Sequence, residues 1–131
     1  GNHFCLNVSC LPDGQAGGVL FRALEPLTGI EQMADARGIT ISGPKDLRSL
    51  TSGPGRLAEA FDITRVRDNE KDLTDPASDL YIADDGSPRP RALATIRIGI
   101  TKAADLPLRY LILGNAFVSG PKRLNVKPVV S

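Results

Sequence analysis

Chemistry in this chain has to come from a few polar side chains set into apolar surroundings. Arg22 stands out, because it interrupts the run Val19-Leu20-Phe21-Arg22-Ala23-Leu24. An unpaired guanidinium in an apolar layer costs on the order of several kcal/mol, so the position predicts an assigned acceptor or anion. Asn7 is the corresponding polar intrusion in the first apolar segment, Phe4-Cys5-Leu6-Asn7-Val8. Further along, Ser52-Gly53-Pro54-Gly55-Arg56-Leu57 is glycine-rich and precedes a helical stretch, so its backbone N–H groups can hold a phosphate. It lacks the Gly-Lys-Ser/Thr ending of a nucleotide-hydrolysing loop, and the same residues also make an ordinary Gly-Pro helix start.

Other chemistries find little support. Neither a Ser-His-Asp set nor a paired-carboxylate motif is evident. The two cysteines, Cys5 and Cys10, are too few for a disulfide framework and lack C-x-x-C spacing, so they read as reduced, partly buried thiols. With His3 the one histidine, no dedicated zinc site is expected.

The elements that must position these residues follow from apolar periodicity. Residues 4–9 alternate Phe4, Leu6 and Val8 against Cys5, Asn7 and Ser9, the period of a two-faced strand. Residues 18–24 form a second strand. Pro12-Asp13-Gly14 and Gly17-Gly18 between them predict a hairpin, which would bring Asn7 and Arg22 close. Thr28 and Glu31 have the spacing of a capping box for a helix over 29–36 that ends at Gly38. A helical turn is predicted over 44–50, and a helix from Pro54 to about Phe61. After a polar loop over 68–77, strands are predicted over 80–83, 93–100 and 109–113, with an extended tail from Gly120. The sum is a single α+β domain of antiparallel strands with short helices grouped in the middle.

Length and composition suit one globular domain: 131 residues, 41% hydrophobic and 24% charged, with net charge +1. The charge is unevenly spread. From Asp68 to Asp85 seven acidic residues stand against Lys71 alone, whereas from Gly86 to Ser131 eight basic residues stand against Asp105 alone. Such asymmetry fits a basic face turned to phosphates with an acidic lobe turned away, and fits equally an unevenly charged solvated surface. No apolar run approaches the ~20 residues that span a bilayer, and the opening Gly-Asn-His-Phe-Cys has no leader character. An intracellular, cytoplasmic protein is expected, with no membrane partner.

The order of segments carries more. His3-Phe4-Cys5-Leu6-Asn7-Val8, then Phe21-Arg22-Ala23-Leu24-Glu25-Pro26-Leu27, then Ser52-Gly53-Pro54-Gly55-Arg56-Leu57 resembles the central run of the alkyladenine-type DNA-3-methyladenine glycosylases. Arg97-Ile98-Gly99-Ile100, Pro107-Leu108-Arg109-Tyr110 and Gly114-Asn115-Ala116-Phe117-Val118-Ser119 resemble that family's C-terminal strands. The likeness runs from Gly1 to about Gly120. It implies an open antiparallel barrel related to the C-terminal domain of formyltransferases. It also implies base-excision repair of alkylated or deaminated purines in double-stranded DNA, without a cofactor, by a monomer. The damaged nucleotide must be flipped out, because its glycosidic bond is inaccessible inside a stacked duplex.

The resemblance also implies roles. Asn7 would lie at the floor of the base pocket, excluding the amino group of normal guanine. Arg22 would lie beside the reacting sugar and its phosphate, in support of the chemical step. His3, Ser52, Gly53, Arg56, Arg65 and Gly99 would meet the DNA backbone, contacts that position a protein without reading sequence. The family's general base is a glutamate well upstream of the His3–Asn7 stretch, and its intercalating tyrosine immediately precedes that stretch. None of Glu25, Glu31, Glu59 or Glu70 lies in the glutamate motif. These 131 residues are therefore expected to form the C-terminal portion of a glycosylase domain and to be inactive alone. The competing readings are a DNA-binding remnant without catalysis and a structural domain related to the formyltransferase fold.

Overall fold

A computed structural model of the chain describes residues 4–12, 14–102 and 104–125. In chain order these form β1 (Asn7–Ser9), β2 (Gly18–Leu20), α1 (Ile30–Arg37), α2 (Pro44–Leu50), α3 (Pro54–Ala60), α4 (Arg65–Asp68), β3 (Ala92–Thr95), β4 (Arg109–Ile112) and a 3-10 turn at Lys122–Leu124. Helices and antiparallel strands mix as the α+β reading expects. Among the described residues the strands form two separate two-stranded sheets, β1-β2 and β3-β4, and no closed barrel.

The hairpin sets Asn7 opposite Leu20, Val8 opposite Val19 and Ser9 opposite Gly18. Both strands are shorter than the apolar runs suggest. Phe21 still donates its N–H to Leu6 O at 3.0 Å, but from Ala23 the chain pairs elsewhere, with Ser52. Because no second layer covers this thin ribbon, Cys5 and Cys10 are free thiols exposed to solvent rather than partly buried.

The core lies where α1, α2 and α3 pack together. Leu50, Leu57 and Ala58 are sequestered from solvent, and Ala34, Ala60 and Ile63 complete the apolar cluster. α3 starts as predicted, with Gly53 as N-cap and Pro54 in the first turn. The capping box expected at Thr28 does not form. Gly29 caps α1 in the left-handed region, at φ 72°, and no side chain bonds the first turn. Gly38 ends α1 as predicted, at φ 65°. One side chain ties the three helices: Arg37 Nη1 donates to Ser49 O at 2.8 Å and Leu50 O at 3.2 Å, the last carbonyls of α2, while its Nε lies 3.5 Å from Glu59 Oε1 on α3.

A reciprocal cap does occur at Thr64. Its hydroxyl accepts from Arg67 N–H at 3.1 Å, and Asp68 Oδ2 accepts from Thr64 N–H at 3.0 Å. The acidic stretch that follows is braced from within. Lys71 Nζ lies 2.6 Å from both Asp68 Oδ1 and Asp79 Oδ1, and Arg67 Nη2 lies 3.4 Å from Asp79 Oδ2. Residues 80–83 make no strand: Ile82 N–H is taken by Leu73 O at 2.7 Å, and Tyr81 and Ile82 are both exposed instead of alternating. β3 stops at Thr95 rather than running to Ile100, because the chain bends beyond it and Gly99 adopts φ 70°. β4 matches its predicted place, and residues 120–125 close into the 3-10 turn instead of extending, while residues 126–131 of the expected tail lie outside the described residues.

Burial disfavours the charge of Asp68, but the Lys71 ammonium, the Thr64 N–H and the Arg67 guanidinium outweigh it and hold the carboxyl below its usual range. A carboxyl depressed on folding stabilises the fold above its unfolded value of about 3.9, and that contribution is lost as pH falls through the lower folded value. Thermal melts of the wild type taken from pH ~6 downward should therefore lose stability below pH ~4, and Asp68→Asn should melt lower at neutral pH with a flatter acid limb. Parallel wild-type and variant curves would remove Asp68 from the acid response.

Candidate functional site

Beyond β2 the chain leaves the hairpin, and residues 22–24 run antiparallel to residues 51–53. Gly53 N–H donates to Arg22 O at 2.7 Å, Leu24 N–H donates to Thr51 O at 3.2 Å, and Ala23 faces Ser52 in an isolated bridge. Thr51, fully buried, adds a bond from its hydroxyl to Leu24 O. This short pairing sets residues 22–24 and 51–53 edge to edge, although the 28 residues between Ala23 and Ser52 carry the chain through α1 and α2.

Arg22, Ser52, Gly53 and Arg56 are thereby brought together. Gly53 sits at φ 116°, a conformation open to glycine and strained for other residues. Its N–H is already taken by Arg22 O, so the glycine-rich loop offers a phosphate one donor fewer than its sequence suggests. A Cβ placed on Gly53 would lie 3.9 Å from Arg56 Cδ, so the exposed Arg56 side chain passes close over the loop. Arg37, Ser52, Gly53, Arg56 and Glu59 line a surface depression there.

The other expected positions lie outside this pairing. Asn7 is exposed on β1 with Leu20, not Arg22, opposite it. Arg65 is exposed at the start of α4, and Gly99 is exposed in the bend after β3. His3 lies outside the described residues.

The electrostatics single out a residue that the sequence reading did not. Arg109 takes an inward position of β4 beside Leu111 and is only 4% exposed. Its Nη2 donates to Ser119 O and, at 2.7 Å, to Asn125 Oδ1, while its buried Nη1 has no acceptor among the described residues. The Nε of Arg22 is likewise buried without an acceptor. Burial, and then the charge of Arg22, hold the guanidinium of Arg109 below its ordinary pKa. Arg-Tyr-Leu-Ile gave no warning of this, because both phases of the strand carry apolar residues and periodicity cannot say which faces inward.

Among the described residues no group of three or more His, Cys, Asp and Glu is placed to hold a metal ion, and no helix is long and apolar enough to cross a membrane. Fold and site together define a small α+β domain that presents arginines around a glycine-rich helix start. The chain belongs to the methylpurine-DNA glycosylase family, whose model matches residues 1–116. A protein of Koribacter versatilis that carries the name 3-methyladenine DNA glycosylase is 62% identical over 124 residues, covering 95% of this chain and 58% of its own. Proteins of the same name from Burkholderia lata (46% identity, 92% of this chain and 56% of theirs) and Rhodopirellula baltica (40%, 95% and 53%) are also similar. The chain thus spans a little over half the length of the relatives it matches.

The pairing of 22–24 with 51–53 rests partly on Thr51, and Thr51→Val keeps the shape while removing its hydroxyl donor. The expected result is a loss of about 1–2 kcal/mol in unfolding free energy and faster hydrogen exchange at the Gly53 amide. An unchanged Gly53 exchange rate would show that the hydroxyl does not hold the two segments together.

Proposed function

We propose that this chain is the C-terminal portion of a base-excision repair glycosylase that hydrolyses the N-glycosidic bond of alkylated or deaminated purines in duplex DNA. The observation that carries the reading is the meeting of Arg22 with the Ser52–Arg56 loop. In the family resemblance these are the residues that hold the nucleotide and its flanking backbone, and here one backbone hydrogen bond joins them. Arg22 supports the chemical step by holding phosphate or water through its planar, multi-donor head. Asn7 lines the base pocket, and His3, Ser52, Gly53, Arg56, Arg65 and Gly99 face the DNA backbone. The protein acts as a monomer inside the cell, with damaged double-stranded DNA as its partner and no cofactor. Residues 1–131 form a single domain portion, and in the longer protein its two sheets join one open barrel of the formyltransferase C-terminal type.

The general base is a separate matter. The family resemblance supplies it from a glutamate motif that Glu25, Glu31, Glu59 and Glu70 do not match. These residues alone therefore bind without cutting. A general base must stand within hydrogen-bond reach of the water it activates, which no binding surface replaces.

Two measurements test this. The purified chain should release no base from duplexes carrying hypoxanthine or 3-methyladenine under single-turnover conditions, whereas a protein of the relatives' full length should release it. Base release by the 131-residue chain would place the catalytic carboxylate among its own glutamates. Separately, the chain should bind duplex DNA with an affinity that falls as salt rises, and Arg56→Ala or Arg65→Ala should each lower the log–log slope by about one. A slope unchanged by Arg56→Ala would return that residue to the solvated surface.

A further inference from the structure

Four charged side chains at α4 close a ring in which the signs alternate. Asp79 Oδ2 lies 3.4 Å from Arg67 Nη2, and its Oδ1 lies 2.6 Å from Lys71 Nζ. Lys71 Nζ is also 2.6 Å from Asp68 Oδ1, which stands 3.7 Å from Arg67 Nε and completes the circuit. The side chains of Asp68 and Lys71 are only 5% and 20% exposed, so they differ from the loose surface pairs that contribute little. The ring is anchored as well: Arg67 Nη1 donates to Asp62 O at 2.8 Å, just past α3, and Asp68 Oδ2 accepts from the Thr64 N–H at 3.0 Å. α4 needs such ties. It is one turn of four residues, too short to be stable through its own backbone bonds, and it contributes no residue to the core. Val66 is wholly exposed, so the turn stands out from the body of the molecule. Of its two arginines, Arg67 is taken up by the ring. Arg65, at the first helical position, is exposed and has no ion-pair partner among the described residues.

We propose that the ring of Arg67, Asp68, Lys71 and Asp79 is a positioning device for Arg65, holding α4 as a rigid turn from which Arg65 meets the backbone of duplex DNA. The inference rests on the reading of Arg65 as a backbone contact and adds the residues that fix it in place. An arginine on a frayed turn must be ordered as it binds, which weakens the complex; the ring completes that ordering on folding. Two cations and two carboxylates cancel, so the ring itself carries no net charge to attract a phosphate. Its effect on binding is therefore geometric, and it differs in sign from what charge alone would do. Asp79→Ala removes a carboxylate, which by charge alone strengthens attraction to a polyanion. Loss of the ring instead weakens it.

The experiment measures duplex Kd at one fixed ionic strength for the 131-residue chain and its variants, with amide hydrogen exchange of each free protein. Asp79→Ala should weaken duplex binding by about threefold to tenfold. Lys71→Met, which changes the charge in the opposite direction and leaves Asp68 facing Asp79, should weaken it to a similar extent. Lys71→Arg keeps a cation between the two carboxylates and should restore wild-type binding. Placed in an Arg65→Ala background, Asp79→Ala should add no further loss, because the ring acts through Arg65. In the free variants the Arg67 and Asp68 amides should exchange faster, while α1 and α3 keep wild-type protection and show that the core is intact. Asp79→Ala that tightens duplex binding, or leaves it unchanged, while Arg65→Ala weakens it would overturn the positioning role and keep Arg65 as a backbone contact. Losses at Asp79 and Arg65 that simply add would also overturn it. Arg65→Ala without effect on duplex binding would remove the backbone reading of Arg65, and the proposal with it.

Discussion

The antiparallel contact between residues 22–24 and 51–53 is the constraint on which the rest of the arrangement depends. Five main-chain groups (Gly53 N–H, Arg22 O, Leu24 N–H, Thr51 O and Leu24 O) and the Thr51 hydroxyl are satisfied there, in a place where Thr51 is wholly removed from water. Left unmade, those buried donors and acceptors would cost more than the bonds contribute. The contact draws the chain out of the β1-β2 hairpin after Leu20, fixes Gly53 in its left-handed-side conformation and so sets the direction in which α3 starts. Arg22 owes its place beside the glycine-rich loop to main-chain bonds.

Charge is handled in opposite ways at the two ends of the chain. In the acidic stretch Lys71 and Arg67 answer Asp68 and Asp79 at short range, and Thr64 adds a backbone donor, so the excess of carboxylates is in part locally neutralised. In the basic half Arg109 is taken inside with neutral partners among the described residues. A buried guanidinium without a counter-charge is unfavourable by on the order of several kcal/mol, whereas an exposed arginine keeps its hydration.

The sheets are the least covered part of the molecule. The chain presents 9891 Å² of surface, where a compact folded monomer of 13.9 kDa presents about 6,700 Å². Tyr110 and Ile112, on the face of β4 opposite Arg109 and Leu111, and Leu108 just before the strand are among the large side chains in solvent. The helical cluster, by contrast, buries Leu50 and Leu57 completely, with Arg37 bridging the helices, so the stability of this chain is concentrated around α1, α2 and α3.

The sequence by itself determined the α+β class, the hairpin, the ends of α1 and α3 and the place of β4, because these rest on local signals: alternation, glycine after a helix, proline in a first turn. It also carried the family, through the segments around Asn7, Arg22 and Ser52–Arg56. Where local signals competed, it misled. Thr28 and Glu31 have capping-box spacing, but Gly29 takes the cap; residues 96–100 alternate like a strand, but Gly99 turns. Only the tertiary structure decided that Arg22 meets Gly53 and that Arg109 faces inward. Those are relations between segments far apart in the chain, and which face of Arg109-Tyr110-Leu111-Ile112 is buried depends on what the rest of the molecule lays against it.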